Sequence, residues 1–150
     1  MGLDMSLYGD KSSNNNETVD GFPLSNLTLD LGYWRKHANL HGFIVKVFAE
    51  GVDECQRIHL DEKDLENIID ALESDALYED GEVTGFFFGR SYFPGESDQY
   101  GSYDEQKTRD INVFKKALEW VRNATPASGK WGEDNYKWPE WRSVYYQASW

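Results

Sequence analysis

The chain has 150 residues, 27 of them acidic and 15 basic, for a formal net charge of −12. This length suits one domain with its own core, and an aromatic content of 15% argues against disorder throughout. A single cysteine excludes an internal disulfide framework and, alone, a cysteine-based zinc cage. The acidity disfavours direct binding to nucleic-acid backbones or anionic membranes.

No apolar run approaches the roughly 20 residues that span a bilayer. The first residues lack a charged stretch followed by a long apolar one, so no signal peptide is expected. The expected compartment is a reducing cytoplasm. The acidity is local. Residues 51–82 hold twelve acids against Arg57 and Lys63, while 31–50 and 111–150 each carry a balance of +2.

Leu3-Asp-Met-Ser-Leu-Tyr8 alternates apolar and polar, which predicts a strand with one buried face. Residues 9–29 are polar at their start and read as a mobile loop. The chain is expected to turn near Gly32 and enter a helix from about Ala38 to Glu50. The inward set of that helix is Leu40, Ile44, Val47 and Phe48, and Gly51 is the stop. Residues 55–60 predict a short extended piece. Asp61 caps the next helix, with Asp64 in its first turn. Leu65, Ile68, Ile69 and Leu72 form the apolar stripe there, and Glu62, Glu66, Asp70 and Glu73 an acidic outer face.

Thr84-Gly-Phe-Phe-Phe-Gly89 predicts a buried strand. Residues 91–103 read as a surface loop. A third helix follows from Asp104 to Asn123, with Ile111, Phe114, Leu118 and Val121 inward. A Gly/Pro/Trp-containing loop covers 125–140. Arg142 to Trp150 alternates, with Val144, Tyr146, Ala148 and Trp150 on one face and Tyr145, Gln147 and Ser149 on the other. The predicted fold is a single α+β domain over 1–150, with a small, mainly antiparallel sheet packed against about three helices. Both end segments are strands of that sheet.

Five segments stand out: Met1-Gly-Leu-Asp-Met5, Gly32-Tyr-Trp-Arg-Lys-His-Ala-Asn-Leu-His-Gly42, Gly51-Val-Asp-Glu-Cys-Gln56, Thr84-Gly-Phe-Phe-Phe-Gly89 and Trp141-Arg-Ser-Val-Tyr-Tyr-Gln-Ala-Ser-Trp150. Together they resemble a family of small proteins encoded by bacteriophages and bacterial genomes. The resemblance spans the chain apart from 9–29 and 91–103. It implies a viral accessory protein working in the bacterial host cytoplasm, and it carries over no enzyme activity to this chain. Kinase labels attached to such proteins imply nothing here, because no phosphate-loop Gly-Lys-Ser/Thr is present. Other branches carry Ala in place of His37, so the resemblance gives that side chain no role.

Tyr33, Trp34, Arg35 and Lys36 put two aromatics beside two cations. Aromatic faces stack on bases, and Arg binds phosphate through two hydrogen bonds. Arg90 follows Phe87 and its neighbours and is expected to converge on the same place. Tyr146, Gln147 and Trp150 add hydroxyl, amide and indole groups, and His41 a ring. These ten residues form the expected ligand-binding set. The competing reading makes the aromatics core residues and pairs Arg35 with Asp4.

His37 and His41 lie four apart, but Ala38 stands where the metalloprotease pattern needs Glu, so no metal or other cofactor is expected. Cys55 beside Glu54 is a poor nucleophile. No Gly-x-Ser-x-Gly elbow is present, and no catalytic residue is assigned. The expected function is therefore non-enzymatic. The protein would bind a nucleotide-like small molecule or a host protein and so counteract a host defence. One alternative is a small nucleotide-processing enzyme, with His41 or Asp4 as base and Arg35 or Arg90 as anion clamp. Another is an acidic DNA mimic built on residues 51–82.

Overall fold

The computed structural model describes residues 2–12, 17–85 and 88–150. Its order is β1 (Asp4–Ser12), β2 (Thr18–Val19), β3 (Phe22–Pro23), β4 (Asn26–Arg35), α1 (Ala38–Phe48), β5 (Ile58–Leu60), α2 (Glu62–Glu73), a short 3₁₀ turn (Ala76–Tyr78), β6 (Ser97–Asp98), β7 (Gly101–Ser102), α3 (Tyr103–Arg122) and β8 (Trp141–Ser149). The main sheet is antiparallel with strand order β4-β1-β8-β5, and two small hairpins, β2–β3 and β6–β7, stand apart from it. The fold is α+β. Among the described residues no helix is long and apolar enough to cross a membrane.

The period-2 pattern of β1 does what alternation dictates. Leu3, Met5 and Leu7 are fully buried on one face. Val144, Tyr146 and Ala148 of β8 and Trp34 of β4 join them in one core cluster with Leu40 and Ile44 of α1, Leu65, Ile68 and Leu72 of α2, and Phe114 and Leu118 of α3. The helices therefore cover a single face of the sheet. Glycines let them come close. A Cβ on Gly9 would sit 2.7 Å from the Trp120 ring, and one on Gly32 2.6 Å from Val113. In α2 the Asp61 carboxylate accepts the Asp64 amide N–H while Asp64 accepts the Asp61 N–H, a complete capping box.

Several expectations are corrected. Residues 9–29 are not one loop: β1 runs to Ser12, and the β2–β3 hairpin precedes β4, while 13–16 lie outside the described residues. Gly32 to Arg35 is not a turn but the end of a ten-residue strand. The corner comes at Lys36, which adopts a left-handed φ of 58° and donates its N–H to the Leu3 carbonyl at 2.8 Å. The predicted strand at 84–89 is absent from its described residues, Thr84, Gly85, Phe88 and Gly89, while Phe86 and Phe87 lie outside the described residues. Residues 91–103 contain the β6–β7 hairpin. Val47 is 47% exposed, and Val45 takes its place in the core. Trp150 follows the end of β8 and is 44% exposed.

Beneath the loop at 125–140, Glu140 meets Lys11 (3.0 Å) and Arg142. Burial alone would raise its pKa, but the hydrogen bonds from Lys11 and Arg142 outweigh it and hold the carboxyl below the usual glutamate range. A carboxyl lowered by folding stabilises above its unfolded pKa, and that contribution is lost as pH falls through the folded value. Glu140→Gln should therefore lower the melting temperature at neutral pH and flatten its fall on acidification, as read by thermal melts across pH 3–7.

Deleting Tyr146–Trp150 is a harsher test. β8 is an interior strand, and the deletion removes the fully buried Tyr146, the buried Ala148 and the rungs to Asp4–Leu7 of β1 and to Ile58 of β5. One buried aromatic is worth about 3–5 kcal/mol, comparable with a domain's whole stability. The truncated protein should show no cooperative thermal transition.

Candidate functional site

The structure divides the ten expected binding residues among separate places. Trp34 is buried, its indole N–H donating to Asp110 Oδ1 at 2.7 Å and its ring stacked on Phe114. Asp110 Oδ2 meets His37 Nε2 at 2.6 Å, and His37 Nδ1 meets Ser91 Oγ at 2.8 Å. A carboxylate only accepts, so a neutral His37 ring donates from Nε2 and accepts a hydrogen bond from the Ser91 hydroxyl at Nδ1.

This is a Ser-His-Asp sequence of hydrogen bonds, brought together from positions 91, 37 and 110. Its geometry is that of a clamp. Ser91 Oγ accepts the Asn39 amide N–H at 3.0 Å, so Ser91 caps α1, whose own N-cap residue His37 makes no side-chain cap. Ser91, His37 and Asp110 are all buried.

A second chain of bonds gathers His41, Tyr146 and Trp150. The buried Tyr146 hydroxyl donates to His41 Nδ1 at 2.6 Å. His41 Nε2 donates to Asp53 Oδ2 at 2.8 Å, and Trp150 Nε1 donates to Asp53 Oδ1 at 3.2 Å. Burial and the Asp53 charge push the Tyr146 hydroxyl far above the ordinary phenol range, so it remains a donor. Phe88 lies edge-on to His41 at 5.0 Å and to Trp150 at 6.0 Å. These bonds tie Trp150, α1 and the 49–57 loop together.

Arg90 does not join Arg35. It pairs with Glu82 and Glu96 and borders a cleft of about 630 Å³ in the 90–98 loop. Lys36 forms the corner described above, and Phe87 lies outside the described residues. The acidic face of α2 is partly neutralised, because Arg122 of α3 reaches Glu62 and Glu66, and Lys115 reaches Glu73.

Tyr33, Arg35 and Gln147 do come together, on the sheet face that the helices leave open. Register puts Asp4 between Arg35 and Ser149, Ser6 between Tyr33 and Gln147, and Tyr8 beside Tyr145. A cleft of about 410 Å³ opens there, lined by Asp4, Ser6, Tyr8, Cys55, Gln147 and Ser149. The Tyr33 hydroxyl donates to Asp4 Oδ1 at 2.5 Å, which pushes the phenol above its usual pKa. Arg35 Nε stands 3.9 Å from the same oxygen. Both contacts use Oδ1, and among the described residues no contact is made to Oδ2. Gln147 Nε2 donates to the Cys55 carbonyl at 3.0 Å, which fixes the amide and leaves its oxygen as an acceptor. Tyr8 stacks obliquely on Tyr145 at 5.2 Å, and the Arg57 guanidinium lies 4.7 Å over the Tyr145 ring.

Sequence reasoning names Gln147, sets Ser149 on the same face of its strand, and misses Ser6 and Tyr8 across the ladder. Their signal is the polar half of the same alternation that marks the core. It also misses Ser91 and Asp110, which carry no motif.

The buried Asp110 and the exposed Arg35 make a clear contrast. Asp110→Ala leaves the Trp34 and His37 donors buried without an acceptor and should cost about 3–5 kcal/mol. Arg35→Ala removes a long, exposed contact and should cost less than about 1 kcal/mol. Chemical denaturation of the two variants beside the parent measures both.

No protein-family model, no curated protein and no solved structure matches this chain.

Proposed function

We propose that the chain is a non-enzymatic binding protein that holds a nucleoside-like small molecule on the open sheet face. The observation that carries this reading is the meeting of Asp4, Ser6, Tyr8 and Gln147 in one cleft, with Tyr33 and Arg35 at its margin. A carboxylate oxygen suits ribose-type hydroxyls, a fixed amide reads the edge of a base, and a tyrosine ring offers a stacking surface. The cleft favours a neutral or cationic ligand over a polyphosphate. Arg35 already faces Asp4, and the chain carries −12. The five motifs support a phage accessory role in a bacterial cytoplasm, in which sequestering such a molecule blunts a host response. Binding needs no nucleophile, which agrees with a Ser91–His37–Asp110 network engaged in holding α1.

Titration calorimetry with nucleosides and the matching mono- and triphosphates tests this. Nucleosides should bind at least as well as triphosphates. Asp4→Asn and Gln147→Ala should each weaken binding roughly tenfold, the value of one or two hydrogen bonds, with melting temperatures near the parent's. No heat with any member of the panel, or turnover of the ligand, overturns the reading.

A further inference from the structure

β4 is an edge strand of ten residues, whereas the opposite edge, β5, has three. Long unpaired edges template further pairing unless they are blunted. At one end β4 is blunted: Arg109 donates to the Tyr33 carbonyl, and the register slips at Leu31, where Leu7 faces Gly32 and Tyr8 faces Asp30. Leu27 and Leu29 face Lys11 and Gly9 in the ladder, so they share the core side of the sheet with Gly9. Yet Leu27 is 40% exposed, and Leu29 and Leu31 are not fully buried. Beside this leucine row runs a groove of about 740 Å³ between β4 and α3, its lining including Leu31 and Val113, the acids Asp104 and Glu105 and the bases Arg109 and Lys116.

We infer that this edge is the dimer interface, with a second copy of the chain paired antiparallel along β4 about a two-fold axis at Leu29. That register sets Leu29 against Leu29 of the second copy, Leu27 against its Leu31, and Thr28 against its Asp30. Leucines meet leucines, and the exposed Leu27 arrives at the groove beside Leu31. Asp30 never faces its own equivalent, so the register avoids the like-charge pair that destabilises a ladder. β4 carries one acid, Asp30, and one base, Arg35, so it is a neutral strip on a chain of −12. An isologous contact closes on itself and joins the two four-stranded sheets into one of eight. Repulsion between two chains of −12 makes the dimer tighten with added salt.

Sedimentation equilibrium of the full chain at high micromolar concentration should give a dimer, more stable at higher salt. Leu27→Lys should raise its dissociation constant at least about tenfold while far-ultraviolet circular dichroism stays unchanged. In a Cys55→Ser background, Leu29→Cys should form an intermolecular disulfide on mild oxidation, because directly opposed Cα atoms lie about 4.5–5.5 Å apart. Val47→Cys, exposed on α1, should not. A parent protein that stays monomeric overturns the inference, even if its edge captures an extended segment of another protein. So does a dimer indifferent to Leu27→Lys, or one in which the Leu29→Cys variant fails to cross-link.

Discussion

The buried carboxylate of Asp110 is the fixed point of this molecule. A charge taken out of water is tolerated only when its acceptors are filled. Here one oxygen holds the Trp34 indole and the other the His37 imidazole. Those two residues lie on either side of Lys36, where β4 turns into α1. A single side chain of α3 thus sets the angle between a strand and a helix. Through His37 the same network reaches Ser91, which caps α1 from a distant loop. The left-handed backbone at Lys36 is a local strain of about 1 kcal/mol or more, and it persists because both sides of the corner are held.

Alternation and helical spacing make the inner layer legible. Leu3, Met5 and Leu7, the Leu65–Leu72 stripe and Val144, Tyr146 and Ala148 are buried as their periods require. The misses have physical causes. Asn26-Leu-Thr-Leu-Asp-Leu31 also alternates, but it follows a polar stretch and ends in a bulge, so its period is cut short on both sides. Trp34 reads as a ligand-stacking ring because its neighbours are cationic. Its indole partner sits 76 positions away, and no local pattern reveals such a contact. The candidate cleft is half legible for a related reason. Tyr33 and Gln147 attract notice as unusual residues, but only strand register sets Ser6 between them.

The sheet separates two chemistries. Its covered face is apolar, pinned by the buried hydrogen bonds of Asp110 and of His41. Its open face carries hydroxyls, a carboxylate, an amide and aromatic rings. The acids that dominate the composition belong largely to the helical side, where α3 cations meet several of them. The net charge therefore describes the periphery better than it describes the cleft. The arrangement lets the open face change with little penalty to the core, since alternate residues of one strand answer to different neighbours.

The place of β8 in the sheet has a consequence for how the chain is made. It lies between β1 and β5 although it follows every other element in sequence. During synthesis, β1 and β4 can pair early as neighbours on the chain, but the inner edge of β1 stays open until Trp141–Ser149 leaves the ribosome. At about 5–20 residues per second that is a wait of several seconds. Leu3, Met5 and Leu7 spend that interval without their final partners, beside an unpaired strand edge. A nascent chain of this kind is exposed to chaperones and to its own copies on a polysome, and one nine-residue strand decides when that exposure ends.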